Sequence, residues 1–439
     1  MNSLQYGLTP KMKPISPRRP ALVAALDVGT SKIVCMIGRL EPHHGEFLRR
    51  RTHSVHVLGY SHIESAGVKG GAAANLTALE EAIRRAVDLA ERSAAVQLES
   101  VAVSISAGRM GSENFTASVN VAGSSVSEAD IDNLMAAGSD HSAREGRVVL
   151  HSLPIAYAVD GVRGVREPRG MLARNLSIDM HTVTADVAPP RNLMLAVERC
   201  HLSVEAMVAS PYAAGLSVMA DDEADLGVAV VDMGAGTTTI GVFGGGHFLH
   251  ASGFALGGQH VTMDLARGLG CRVADAERIK AFYGTVLAGG TDERDMIAVP
   301  AVSDDPRDPP QAVSRSALVR IIRPRVEEIL EMVRDRLAAS PFSADPHGTV
   351  ILTGGASQLT GMSELAAHIL NRTVRIGRPL GVSGLEDTAK GPAFAAATGL
   401  LVYPQVAHLE HFEPRRTRHL RTGTGGYLAR VGRWLRESF

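Results

Sequence analysis

Two short stretches of the 439-residue chain share a pattern suited to phosphate chemistry: Asp27-Val28-Gly29-Thr30-Ser31-Lys32 and Asp232-Met233-Gly234-Ala235-Gly236-Thr237-Thr238. Each follows an apolar run, residues 21–26 and 226–231, and each precedes another β-prone segment. A strand that stops at Asp and turns through Gly and hydroxyl residues makes a tight hairpin. Its glycines let backbone N–H groups approach an anion, and its hydroxyls donate to phosphate oxygens. An Asp at each strand end can hold hydrated Mg2+, a hard cation that keeps several waters and takes few protein carboxylates. Two such hairpins can grip a nucleotide's phosphate chain from both sides. A third element, Ile351-Leu352-Thr353-Gly354-Gly355-Ala356-Ser357, puts a Gly pair after a buried strand and before a helix at 363–370. It allows close approach of a flat or charged ligand. Taken singly, any of the three is a β-turn that chance produces often. Taken together, in order and each after a buried strand, they read as a nucleotide site built on an imperfect internal repeat.

The elements that must position these loops alternate between strand and helix, an α/β pattern. Strands are predicted at 21–26, 31–40, 101–106, 204–208, 226–231 and 350–352, and helices at 77–96, 192–199, 257–269, 274–283 and 316–339. Ser127, with Asp130 three residues on, predicts a capped helix start. Residues 147–183, with Gly161, Gly164 and Gly170, read as short strands and turns, and 304–310 as a solvated loop. The first 20 residues carry Lys11, Lys13, Arg18 and Arg19 with Pro10, Pro14, Pro17 and Pro20, a flexible leader. Residues 404–424 read as a flexible linker.

Composition narrows the class. Hydrophobic residues are 45% and charged residues 21%, which suits a globular chain with sizeable cores. Lys+Arg 45 against Asp+Glu 46 leaves a net charge of −1, so no global field draws the chain to nucleic acid. Cys35, Cys200 and Cys271 lack metal-ligand spacing and read as reduced, buried thiols. No apolar run approaches the ~18–20 residues of a spanning helix, and no signal-peptide pattern opens the chain. The expectation is a soluble or peripheral protein made in the cytoplasm.

The ordered motifs resemble the actin/Hsp70/sugar-kinase ATPases, in which two duplicated α/β domains close on a nucleotide. The resemblance makes 27–32 and 232–238 the phosphate loops and 353–357 the adenosine loop. It implies ATP with Mg2+ as cofactors, with Asp27 and Asp232 meeting the metal through water. Nucleotide contacts would come from Asp27, Gly29, Thr30, Ser31, Lys32, Asp232, Gly234, Gly236, Thr237, Thr238, Gly354, Gly355 and Ser357. Ala274-Asp275-Ala276-Glu277-Arg278-Ile279-Lys280 resembles the helix whose Glu and Lys flank ribose and adenine, which assigns Glu277 and Lys280 there. By spacing alone that pair is also a surface i,i+3 ion pair, worth roughly tenths of a kcal/mol.

Within this group the match narrows to the FtsA family of bacterial cell-division proteins. It is carried by Ser104-Ile105-Ser106-Ala107-Gly108, His151-Ser152-Leu153-Pro154-Ile155-Ala156-Tyr157-Ala158-Val159-Asp160, Val374-Arg375-Ile376-Gly377-Arg378-Pro379 and Ala397-Thr398-Gly399-Leu400-Leu401, over about 21–403 plus the final helix. The implied fold is an actin-like duplicated two-domain ATPase with an inserted small α/β subdomain and a C-terminal amphipathic helix. Its parts are subdomain 1A (21–104 and 185–210), an inserted 1C (105–184), 2A (211–256 and 341–403) and 2B (257–340). The implied partners are the C-terminal peptide of FtsZ on 2B, other copies of the chain in an actin-like polymer, and other division proteins through 1C. The implied place is the cytoplasmic face of the membrane at the septum. The helix at 316–339 carries Arg320, Arg323, Arg325, Glu327, Glu328 and Glu331, by composition a solvated face; its position in 2B makes Arg320 and Arg325 candidate FtsZ contacts. One residue departs from the superfamily: Ser210 stands where a Glu or Gln orients the attacking water. A hydroxyl is a poor base, which predicts slow or negligible hydrolysis.

The end of the chain carries a separate signal. At ~100° per residue, Tyr427, Leu428, Val431, Trp434, Leu435 and Phe439 fall on one arc of about 140°, with Arg430, Arg433, Arg436 and Glu437 opposite. Residues 414–439 hold seven Arg against one Glu. A short amphipathic helix with a cationic polar face and an aromatic apolar face reads as an in-plane anchor on anionic lipid. A helix docked on protein would show the same pattern, but the cationic face and the Gly/Thr/Arg-rich approach favour lipid. FtsA proteins end in such a helix, so the resemblance agrees. Two other readings keep the fold: a small-molecule kinase, and an actin-like scaffold of another envelope machine such as pilus assembly. Neither accounts for a cationic terminal anchor. A chaperone of the Hsp70 kind lacks room for a substrate domain after 403.

Overall fold

The run Ala21–Val28 is apolar on both faces, with Ala25 and Leu26 fully buried, and Val228–Met233 repeats this with Val228 to Val231 all inaccessible. Strands buried on both sides belong at the centre of covered sheets, and each of these runs is the centre of one. The computed structural model describes residues 9–43, 51–142, 146–289, 293–301, 309–345 and 347–410.

The first half holds β1 (Ala21–Val28), β2 (Lys32–Pro42), β3 (His53–Glu64), a small hairpin β4–β5 (Val68–Lys69 and Ala72–Ala73), α1 (Leu76–Ala94) and β6 (Ser100–Ile105). An inserted unit follows: β7 (Gly111–Asn120), α2 (Glu128–Ser142), β8 (Arg147–Val159), β9 (Val162–Val165) and β10 (Asn175–Asp186). The chain returns through α3 (Ala188–Arg199) and β11 (Ser203–Ala209), then crosses on α4 (Ser210–Val218) and α5 (Asp221–Leu226). The second half contains β12 (Val228–Met233), β13 (Thr238–Gly244), β14 (His247–Phe254), α6 (Gly258–Leu269), α7 (Val273–Tyr283), β15 (Met296–Val299), β16 (Gln311–Ser314) and α8 (Arg315–Ala338). It closes with β17 (Thr349–Thr353), α9 (Met362–Leu370), β18 (Val374–Ile376), β19 (Val382–Ser383) and α10 (Ala395–Val402).

The two main sheets repeat one topology. In the first, β11, β6 and β1 run parallel, and β2 and β3 continue antiparallel. In the second, β18, β17 and β12 run parallel, and β13 and β14 continue antiparallel. The phosphate-type turns are therefore the same turn twice, each joining the central strand to its antiparallel neighbour. The insert has its own four-stranded sheet, β7-β10-β8-β9, and its own core around Ile131, Leu134, Leu176, Ile178 and Met180.

Helices α4 and α10 lie where the halves meet; both are almost wholly buried, and each carries Ala and Gly, with Ser in α4 and Thr in α10. Small side chains let two backbones approach closely. Arg51, 7% exposed, adds a polar tie by donating to the carbonyls of Leu216 at 2.7 Å, Leu380 at 3.3 Å and Gly381 at 3.4 Å.

Several expectations change here. Residues 147–183 hold two long strands, Arg147–Val159 and Asn175–Asp186, because Gly161 and Gly170 sit in the turns between them and Gly164 in the short β9, all three at positive φ. Helix α3 begins at Ala188, ahead of the predicted start, because its two prolines fall in the first turn, where no amide partner is needed. The leader is not loose where it is described: Thr9 is buried, and Met12 and Ile15 pack on the main core. Likewise the segment predicted as linker begins with two short 3-10 turns, Tyr403–Gln405 and Ala407–Leu409, with Gln405 and Ala407 buried. Residues 304–308 of the predicted loop and the whole predicted helix 425–439 lie outside the described residues. Among the described residues no helix is long and apolar enough to cross a membrane.

A methyl group on Gly399 of α10 would overlap the carbonyl of Ala213 in α4. Gly399→Ala is therefore expected to cost about 3 kcal/mol or more, read as a lower thermal midpoint. A midpoint within about 1 °C of the parent would show that the two helices have room to separate.

Candidate functional site

The two turns close with the same hydrogen bond. Gly29 N–H donates to the Lys32 carbonyl at 3.0 Å, and Gly234 N–H to the Thr237 carbonyl at 2.9 Å. The loops face each other closely, since a side chain on Gly236 would strike Thr30. Asp27 and Asp232 each sit one residue before their strand's end, in register with Val34 and Thr239. Asp27 accepts from the Ser104 hydroxyl of β6 at 2.5 Å. The Lys32 ammonium stands 3.6 Å over the Phe394 ring, a cation–π contact that holds it near both carboxylates.

Burial pushes the Asp27 carboxyl up, against the pull of Ser104 and Lys32. Burial and the neighbouring Asp27 push Asp232 up to about 7, against Lys32. Burial also brings Lys32 down to about 8, although both carboxylates oppose it. Two buried acids against one ammonium leave the floor short of positive charge. Hard oxygen donors in that state suit a hydrated divalent cation, and an entering polyphosphate needs one to offset the acids.

The third loop abuts the second. Gly354 has φ +83°, and a Cβ on it would lie 2.5 Å from Asp232 Oδ1, so only glycine fits. Helix α6 starts on the same loop, with Gly258 N–H donating to Gly234 O at 2.9 Å and Gln259 N–H to Ala235 O at 2.8 Å. Near that start Lys280 Nζ donates to Gly258 O at 3.1 Å, Thr262 Oγ1 at 2.8 Å and Glu277 Oε2 at 2.6 Å. Glu277 and Lys280 do form the i,i+3 ion pair, and Lys280 also fastens α7 to the loop-bearing end of α6.

Asp27, Gly29, Thr30, Lys32, Asp232, Gly234, Gly236, Thr237, Gly354 and Lys280 thus converge. Others are committed elsewhere. Thr238 is fully buried and donates to Leu256 O, ahead of α6, at 2.8 Å; Ser357 is buried and donates to Gly354 O at 2.8 Å, bracing its own turn. Ser31 is exposed. Arg325 is paired with Asp264 at 2.6 Å and with Glu328, within its own body, while Arg320 lies on the exposed face of α8.

Sequence reasoning missed the β4–β5 turn. Gly71 N–H donates to Thr30 Oγ1 at 3.0 Å, and a Cβ on Gly71 would meet Ser106, Thr237 and Ala107. Gly71 has φ +76°, so both its space and its backbone require glycine. The signal was present as the Lys69-Gly70-Gly71 run just ahead of α1. Ser104 and Phe394 were missed too, because only the fold brings them to the loops.

A carboxyl with a raised pKa binds its proton more tightly in the folded chain, so its stability contribution is lost as pH rises from about 4 through about 7. Without ligand at pH 8, Asp232→Asn is expected to melt above the parent, and the gain should shrink toward pH 5. A variant that melts at or below the parent at pH 8 would remove the buried-charge account.

The comparisons agree with this geometry. The profile "Cell division protein FtsA" matches residues 229–399, and that of the SHS2 domain inserted in FtsA matches 107–184. Among solved structures, the PilM-PilN type IV pilus biogenesis complex aligns with TM-score 0.59 at 16% identity, covering 87% of this chain and 98% of that one. MreB5 of Spiroplasma citri bound to ADP aligns with TM-score 0.51 at 12% identity, covering 88% and 97%. At such identities the likeness speaks to fold, which is actin-like. The cell division protein FtsA of Escherichia coli is 30% identical over 425 residues, covering 95% of this chain and 98% of the relative. That of Agrobacterium fabrum is 51% identical over 439 residues, covering 100% of this chain and 99% of the relative. With two turns of one design facing across a cleft, an insert in the matching place and that identity along its whole length, the chain belongs to the FtsA family of cell division proteins.

Proposed function

We propose that the chain binds ATP with Mg2+ in this cleft, assembles into an actin-like polymer, and ties FtsZ filaments to the cytoplasmic face of the membrane at the division septum. The observation that carries the nucleotide part is the pair of matched turns meeting over Asp27, Asp232 and Lys32. Asp27 and Asp232 hold the hydrated cation through water, and the cation offsets the phosphate charge. Lys32 neutralises a phosphate oxygen. Because Gly71 N–H occupies an acceptor site on Thr30 Oγ1, the Thr30 hydroxyl proton is left to donate to phosphate. Gly29, Gly234 and Gly236 keep the backbone clear for close approach, and Gly354-Gly355 admits the nucleoside beside Glu277 and Lys280.

Ser210, 3% exposed at the first position of α4, replaces the water-orienting acid or amide. Nucleotide therefore acts chiefly as a conformational and polymerisation ligand. Phosphate release at saturating MgATP is expected below about one per minute, a rate that ordinary enzymes exceed easily. A much faster rate would assign the chain a catalytic role.

The membrane part rests on the cationic amphipathic pattern of 427–439. One short helix binds reversibly, and a polymer multiplies it into avidity. Co-sedimentation with anionic vesicles, with and without MgATP, tests this on the intact chain and on one truncated after Thr422. The intact chain alone should pellet, more so with MgATP; pelleting of neither, or of both equally, overturns the anchor. The FtsZ C-terminal peptide docks on 257–340, and other division proteins on the insert 105–184. Arg320→Glu should weaken the peptide, and unchanged affinity would remove Arg320 from its site. Reversal of Arg325 is less informative, since it would break the Asp264 pair.

A further inference from the structure

Glu410, its side chain 3% exposed, collects three donors from three distant parts of the chain. They are Lys11 Nζ at 2.5 Å, His151 Nδ1 at 2.8 Å and the Tyr403 hydroxyl at 2.8 Å. On the far side of the ring, the Ala209 amide donates to His151 Nε2 at 2.9 Å. A backbone amide can only donate, so Nε2 is the bare nitrogen and the ring proton sits on Nδ1, aimed at Glu410. The imidazole is fully buried, and burial lowers its pKa, which keeps it neutral although Glu410 pulls the other way. Burial alone would raise the Glu410 carboxyl; Lys11 and His151 outweigh it and bring it down to about 2.

The ends of this chain of bonds matter. Lys11 Nζ also donates to Leu150 O at 2.6 Å, and the Thr9 hydroxyl to Val149 O at 3.0 Å, so the N-terminal segment straps across β8. Ala209 ends β11 and caps α4, whose first residue is Ser210. Glu410 is the last residue of the described body, and the predicted anchor lies beyond it.

We infer that Lys11, Glu410, His151 and the Ala209 amide form a latch through which the position of α4 controls how firmly residues 403–410 are docked. Moving the start of α4 by about 1 Å takes Ala209 N–H out of hydrogen-bonding range of Nε2. A buried acceptor without a donor is costly, so the ring follows α4 or turns, and either motion withdraws its N–H from Glu410. A buried carboxylate that loses a partner favours water, and 403–410 loosens with the strap. The dependence runs both ways, because coupling between two sites is reciprocal. That nucleotide is what moves α4 rests on the function proposed above; the latch itself does not.

Hydrogen exchange on the full chain tests both halves, followed at residues 9–15, 207–212 and 403–410. Glu410→Gln keeps the size and removes the charge. It should raise exchange at least about tenfold both in the strap and at the Ala209 amide. Lys11→Met, at a side chain 24% exposed, should act in the same direction and serves if the first variant does not fold. Parent-level exchange at 207–212 in a folded variant overturns the latch. In the parent, MgATP should slow exchange at 403–410, and Glu410→Gln should weaken MgATP binding at least about threefold. If MgATP binds and 403–410 does not respond, the coupling to the cleft falls and the nucleotide site stands. If MgATP does not bind, the nucleotide reading falls, and the linkage between strap and Ala209 is judged by the variants alone.

Discussion

Two carboxylates of like charge meet at the floor of the cleft, one from each sheet, and much of the surrounding structure manages that meeting. Asp27 and Asp232 come from central strands whose burial makes ionisation costly. Ser104 satisfies one of them with a hydroxyl, and Lys32, steadied over Phe394, supplies a nearby cation. The loops beyond the acids need glycine because neighbouring groups come within contact: Gly236 under the Thr30 side chain of the other half, Gly354 against Asp232 and Met233 of its own. A site arranged this way is short of positive charge, which is the imbalance that the proposed Mg2+-nucleotide would offset.

The duplication explains why that meeting is possible. Two sheets of one topology place one turn each at equivalent positions, and two helices of small residues, α4 and α10, let the halves lie close. The halves share one hydrophobic core, in which Val228, Val230, Phe243 and Ile351 of the second join Leu26, Ile33 and Ala102 of the first. Arg51 adds a polar tie to three carbonyls of the other half.

What the sequence disclosed and what it withheld follow from the range of the interactions. The central strands were legible because burial on both faces leaves an unbroken apolar run ending at an acid. The start of α2 was legible because Ser127 and Asp130 cap each other three residues apart. The order of 9–15 and 403–410 was not, since it rests on a pair of charges 399 positions apart, in segments whose Pro, Lys and His content suits solvent equally well. Thr238 and Ser357 matched a ligand-binding pattern by residue type, and only the fold shows the Thr238 hydroxyl given to Leu256 O and that of Ser357 turned into its own loop. Arg325 likewise looked available until Asp264 of α6 stood beside it. The Gly71 turn was visible as a glycine pair, but its role depends on Thr30, and that contact has no local signature.

The contact of Lys11 with Glu410 brings the first and last parts of the described body to one spot, beside β8. Labels placed beside Lys11 and Glu410, 399 positions apart, would therefore sit close together while that contact holds and separate when it breaks. The turn at Asp160-Gly161 offers a contrasting position for a tag: a side chain on Gly161 would enter open space, and the insert that carries it has a core of its own.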